Sequence, residues 1–172
     1  GPNQGEVTLL PGEETLFPAE SVWHYFDLGS DLGTAWKEPD FDDAAWAVDQ
    51  GVFGYGNDIE HTILSRGNAA NYFRKSFEIS DPADHSGLFV DLRIDDGAQV
   101  FLNGIEVLRH NMPEGPIDYQ TVADGPSKTD GRVFERFAID SSALVAGTNV
   151  IAVGAHNNSP MSDDFDFDLR LV

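Results

Sequence analysis

A chain of 172 residues, 41% of them hydrophobic, can bury one substantial core, and nothing in it marks a second domain. Ten Lys and Arg against 30 Asp and Glu leave a formal charge of -20, which argues against nucleic acid and anionic membranes as partners and in favour of cations. The absence of cysteine excludes disulfides and thiol chemistry, and no stretch is long and apolar enough to cross a membrane as a helix.

Gly1-Pro2 has the form of a scar left by tag cleavage. Residues 3–172 are therefore read as a single module excised from a longer protein, and the missing leader says nothing about secretion. The acidic, Lys-poor composition also fits salty surroundings. Residues 3–15 are polar, with room for one short strand at 7–10. Trp23, Tyr25 and Leu28 then stand among polar neighbours, followed by Trp36 and the run Phe41-Asp42-Asp43-Ala44-Ala45-Trp46. An Asp ahead of a short run ending in Trp predicts an N-cap on one helical turn that Phe41 and Trp46 pin to the core. The alternative for Asp40, Asp42 and Asp43 is a calcium cluster, since hard cations gather carboxylates. Three glycines in Gly51-Val52-Phe53-Gly54-Tyr55-Gly56 predict a close backbone approach or a bulge. Without a following Lys-Ser/Thr and a helix, this is no phosphate loop.

Residues 57–71 read as a long polar loop. A strand at 72–79 follows, with Phe73, Phe77 and Ile79 inward and Lys75 out of pattern, ended by Pro82. Leu88, Val90, Leu92 and Ile94 alternate with Phe89, Asp91, Arg93 and Asp95, the period of a half-buried strand. Asp96-Gly97 and then Asn103-Gly104 supply tight turns, which predicts a three-stranded antiparallel meander. A second long loop spans 110–131, strands return at 133–139 and 149–156, and Phe165-Asp166-Phe167-Asp168-Leu169-Arg170-Leu171 alternates throughout. No helical stripe exceeds two turns. The fold class is all-β, a jelly-roll β-sandwich.

Several motifs occur in a familiar order: Trp23-x-Tyr25-x-Asp27, Phe41-Asp42-Asp43 with Trp46, Gly54-Tyr55-Gly56, Tyr72-Phe73-Arg74, Asp95-Asp96-Gly97-Ala98, Phe101-Leu102-Asn103-Gly104, Asn111-Met112-Pro113, and Gly147-Thr148-Asn149 through His156. From about residue 20 onward this resembles the galactose-binding-like jelly-roll modules appended to secreted bacterial hydrolases, phosphoesterases and adhesin-like proteins. The resemblance implies a non-catalytic module that binds glycans and holds a structural calcium. Where such modules often read Val-Glu-Val-His, this chain has Val153-Gly154-Ala155-His156, which predicts open space beside the histidine.

Strand parity adds what the resemblance does not. If consecutive strands reverse direction, loops 57–71, 95–97, 110–131 and 157–164 gather at one end, while 80–87, 103–104 and 140–148 lie at the other. Long loops tend to carry function. The candidate ligand-binding residues there are Asp58, His61, Arg66, Asp95, Asp96, Arg109, His110, Asn111, Tyr119, His156 and Asn157, because amides, carboxylates and Arg forks bond paired sugar hydroxyls while a ring, here Tyr119, underlies the apolar sugar face. The second reading of this end is Ca2+ held by Asp95, Asp96, Asp163 and Asp164. The chain lacks a Gly-x-Ser-x-Gly elbow, a His-Glu-x-x-His pair and any paired-His zinc spacing, so no enzyme is expected. The sequence thus predicts a monomeric carbohydrate-binding accessory module of a secreted or cell-surface bacterial protein. Its partners would be a glycan or polysaccharide and the neighbouring domains of its parent chain. The competing class is a structural or adhesion module that spaces or docks neighbours without binding sugar.

Overall fold

The computed structural model describes residues 13–172, so the strand expected at 7–10 lies outside the described residues. Two sheets face each other. One runs β2 (Ala47–Gln50), β1 (Val22–Phe26), β5 (Ala70–Ile79), β10 (Gly147–His156), β7 (Gly97–Leu102) and β8 (Ile105–His110). The other runs β4 (Thr62–Ile63), β3 (Phe53–Tyr55), β11 (Phe165–Leu171), β6 (Leu88–Asp95) and β9 (Glu135–Ile139). Neighbours are antiparallel throughout, apart from β3 with β4. The expected all-β sandwich is the observed one.

Alternation places the core. Leu88, Val90, Leu92 and Ile94 of β6 and Phe165, Phe167, Leu169 and Leu171 of β11 are each 2% exposed or less. They meet Trp23, Phe73, Val100, Ile151 and Val153 of the opposite sheet in one apolar cluster. Phe73 lies against Phe167 with ring centroids 4.2 Å apart. Burying such a side chain stabilises the fold by about 1.5–3 kcal/mol. At Gly54 a Cβ would sit 1.8 Å from the Phe165 carbonyl oxygen. The glycine-rich run therefore lets β3 lie flat on β11, the close approach its composition predicts.

The meander is only half right. β7 and β8 do form a hairpin, with Asn103 and Gly104 at positive φ (51° and 84°) as a tight primed turn requires. β6 and β7 belong to different sheets, so Asp96 lies at a crossing between sheets instead of in a hairpin. Every residue of β7 is buried, because Ala98, Val100 and Leu102 face the sandwich core while Phe101 faces a second apolar layer.

That layer is formed by residues 27–46, which fold over the outside of the six-stranded sheet. Trp36, Trp46, Tyr72, Phe101 and Ala152 make its buried centre. Arg74, 2% exposed, ties it down: its guanidinium pairs with Asp43 Oδ2 at 2.9 Å and donates to the carbonyl oxygens of Trp36, Glu38 and Phe41. Phe41 and Trp46 pack on each other with centroids 5.6 Å apart, so they pin the turn to this outer layer and not to the sandwich core. Asp42 caps it as expected, accepting from Ala44 N at 3.0 Å, but the turn is not helical; a single 3-10 turn forms instead at Ala35–Lys37. The space predicted beside His156 is filled. A Cβ on Gly154 would lie 3.3 Å from His156 Nε2 and 3.4 Å from Trp36 Cη2, so the missing side chain makes room for the tryptophan.

Candidate functional site

The long connections converge at one end. Arg66 Nη1 donates to Asp163 O at 3.0 Å, Asn157 N to Ala69 O at 2.9 Å, and Ala123 N to Asn157 O at 2.9 Å. Asp96 is the knot: its carboxylate accepts from Ser127 N and from Asn158 N, both at 2.8 Å, and its backbone carbonyl from Asn111 Nδ2 at 3.1 Å. At the other end Asn103 bonds Ala143 O and Asn149 Oδ1, each at 2.8 Å, which gathers the short connections there.

The convergence leaves a hollow of about 260 Å³ lined by Gly29, Gly67, Asn68, Tyr119, Gln120 and Pro160. Tyr119 is half-buried, its ring packed at the margin of the outer aromatic layer. Asn68 reaches inward, donating to Asp27 O at 2.6 Å and to Asn71 Oδ1 at 3.3 Å. Two buried amide atoms beside it, Asn71 Nδ2 and Asn157 Oδ1, have no hydrogen-bond partner among the described residues. The amides of Asn68 and Gln120 and the phenol ring of Tyr119 share the concave surface, a combination suited to polar ligands with an apolar face.

Carboxylates crowd the five-stranded side of the same end. On the outer face of β6 and β11 the carboxylates are buried, with Asp91, Asp95, Asp166 and Asp168 each 3% exposed or less, while Phe89, Arg93 and Arg170 between them are half-buried. Asp91 is answered by cations, taking Arg136 Nε at 2.7 Å and Arg170 Nη2 at 2.7 Å. Toward the loops compensation weakens, and Arg93 only partly offsets the burial of Asp166 and Asp168. Burial pushes the Asp168 carboxyl up to about 7 and that of Asp166 up to about 8. Burial likewise raises Asp95, and the adjacent Asp96 adds to the shift. Asp95, Asp130 and Asp164 each place one oxygen within 4.8 Å of the others.

The other residues singled out from the sequence scatter. Asp58 is exposed at positive φ (61°). His61 lies down the edge of the sandwich, its N–H bonded to Val52 O and its Nε2 3.7 Å from Asp49, because the short β4 draws the middle of loop 57–71 away from the end. Arg66 is exposed and stacks over the Tyr55 ring at 4.6 Å. Arg109 is used internally, bonding Glu106 twice along with the carbonyl oxygens of Pro113 and Gly115. His110 and Asn111 line a separate hollow of about 270 Å³ with Ser127 and Lys128. His156 is 1% exposed, its Nδ1 2.7 Å from Thr121 O, and burial lowers its pKa. Asn157, 0% exposed, holds Tyr55 Oη at 3.1 Å. These two shape the end from beneath. Nor does the expected metal quartet assemble, for Asp96 spends both oxygens on backbone amides and Asp163 lies outside the oxygen group. Sequence reading passed over Asn68, Gln120, Asp130 and Asp166. Only Asp166 carried a signal, as the polar partner in a flawless alternation.

No protein-family model and no curated protein matches the chain. Solved structures do share its fold. A β-glycosidase from Bacteroides vulgatus is 17% identical over 93% of this chain and 20% of that one, with a TM-score of 0.56. A Bacteroides uniformis β-glucuronidase is 14% identical over 92% of this chain and 18% of that one, TM-score 0.57. A Ruminococcus gnavus β-glucuronidase is 12% identical over 90% and 24%, TM-score 0.56. The chain therefore spans about a fifth of the glycosidases it resembles, and at these identities the likeness is one of fold.

Proposed function

We propose that this chain is a non-catalytic, carbohydrate-binding accessory module of a secreted bacterial protein, holding a neutral sugar in the hollow at its loop end. The observation that carries this reading is the surface that the Tyr119 ring, Asn68 and Gln120 share in that hollow. Its size supports one sugar residue of a longer chain, since about 260 Å³ falls just under the range of drug-sized sites, about 300–1,000 Å³. The fold's occurrence as a small part of larger glycosidases is consistent with an accessory role. Affinity electrophoresis through polysaccharide gels, backed by a glycan array, tests it. Retardation by at least one polysaccharide is expected, weakened about tenfold by Tyr119→Ala, the effect of losing one stacked ring. Mobility unaffected by any polysaccharide would sink the reading.

The competing reading is a spacer that docks a neighbouring domain. It is favoured by the exposed apolar side chains Leu28 (72%), Ile63 (66%) and Met161 (85%). Blank gels and arrays together with binding to the adjacent domain of the parent protein would establish it.

A further inference from the structure

We propose that the outer face of β7 and β8 carries a second ligand site, separate from the Tyr119 hollow and independent of what binds there, which takes the carboxylate of an acidic sugar ring, a uronic acid. A hollow of about 270 Å³ opens there between residues 33–37 and 115–117. Its floor is apolar, because the buried Trp36 and Phe101 line it. Its polar wall depends on a bulge. Gln99 pairs with Arg109, Val100 with Leu108 and Phe101 with Glu106, which leaves Val107 as an extra residue in β8. Residues three apart in a regular strand face opposite ways, so the extra residue is what puts Glu106 and Arg109 on one face.

Those two side chains neutralise each other. Arg109 Nε donates to Glu106 Oε1 at 2.8 Å and Nη2 to Oε2 at 3.0 Å, and Gln99 Nε2 adds a bond to Oε2 at 2.7 Å. Arg109 Nη1 also holds the carbonyl oxygens of Pro113 and Gly115, which fixes the opposite wall. Lys37 is left over. Half-buried, its ammonium lies 4.9 Å from the centre of the Phe101 ring, and among the described residues it makes no hydrogen bond and no ion pair. Glu106 is the one carboxylate among the described residues lining the hollow, so two cations against one anion leave it a local charge of +1 in a chain of -20. A cation held over an apolar floor attracts an anion more strongly than one in open water. The acidic remainder of the surface permits this, since at about 0.15 M salt charges beyond about 8 Å are largely screened while a contact pair is not. Gln99, 8% exposed, makes no other amide hydrogen bond among the described residues and offers the rest of its amide to a ligand hydroxyl. That favours a hydroxylated ring over a bare anion, and the volume, just under the lower bound of about 300 Å³ for drug-sized sites, suits one ring.

Calorimetry with trigalacturonate, its methyl ester and inorganic phosphate, in about 0.15 M NaCl, tests the site. One trigalacturonate per chain is expected, bound about tenfold or more weakly as the ester, which keeps the ring and loses the charge. Lys37→Met should cause the same loss, and Lys37→Arg should restore most of the affinity. Tyr119→Ala should leave it unchanged, so the outcome is read separately from the polysaccharide retardation assigned to the Tyr119 hollow. No binding, equal affinity for acid and ester, full affinity in Lys37→Met, or displacement by an equal concentration of phosphate overturns the site.

Discussion

His156 illustrates how one residue type changes meaning with its surroundings. In the sequence it is a histidine at a strand end, available for ligand binding. In the fold it is 1% exposed with its Nδ1 held at Thr121 O, and desolvation holds it neutral by lowering its pKa. Its unfolded value is about 6.5, so below that pH the unfolded chain takes up a proton that the folded chain refuses. Stability is then fully present above about pH 6.5 and lost as the pH falls through and below it, at up to about 1.4 kcal/mol per pH unit. His156→Asn, which keeps a donor for Thr121 O, should flatten that acid limb. Urea midpoints between pH 7 and 5 decide it, and identical slopes for the two proteins would refute the assignment.

Among the elements, β11 decides most. Its apolar side closes the sandwich and Asp166 and Asp168 on its polar side are buried too, because β3 and β6 flank it on both edges and residues 127–134 and Glu20 cover it. Packing β3 that closely depends on Gly54, where φ is 153° and a side chain would collide with the Phe165 carbonyl. Gly54→Ala should destabilise by more than about 4 kcal/mol, the range reserved for severe backbone clashes. Chemical denaturation of the purified variant measures it, and a midpoint near that of the native chain would show that β3 can shift away. β7 teaches a related point about hairpins. Asp96-Gly97 was a sound turn signal, yet a turn signal reports only that the chain reverses, not which sheet receives the next strand.

For the whole molecule, a charge of -20 on one small sandwich sets a repulsion that the few surface cations do not cancel. Raising NaCl from about 0.02 to 0.5 M shortens the screening length from above 20 Å to below 5 Å. Tm should climb, by about 2–4 °C for each kcal/mol of repulsion relieved in a chain of this size. A melting point insensitive to salt would mean that the acidic groups are already balanced by pairs or bound ions. The gathering of long loops at one end was legible before any coordinates, and it survived the error over β6 and β7, because parity counts reversals of direction and not hydrogen bonds. Alternation in residues 88–95 and 165–171, Asn103-Gly104 and the glycines of residues 51–56 likewise determined the strands, the true hairpin and the close approach from local chemistry alone. Tertiary structure alone decided which sheet each strand joined, that Asp166 and Asp168 on the polar side of β11 face protein and not water, and that Asp130 stands with Asp95 and Asp164 while Asp96 and Asp163 do not. Those facts depend on contacts between residues far apart in the chain, and a period of two residues records that a strand has two faces without saying what covers the second.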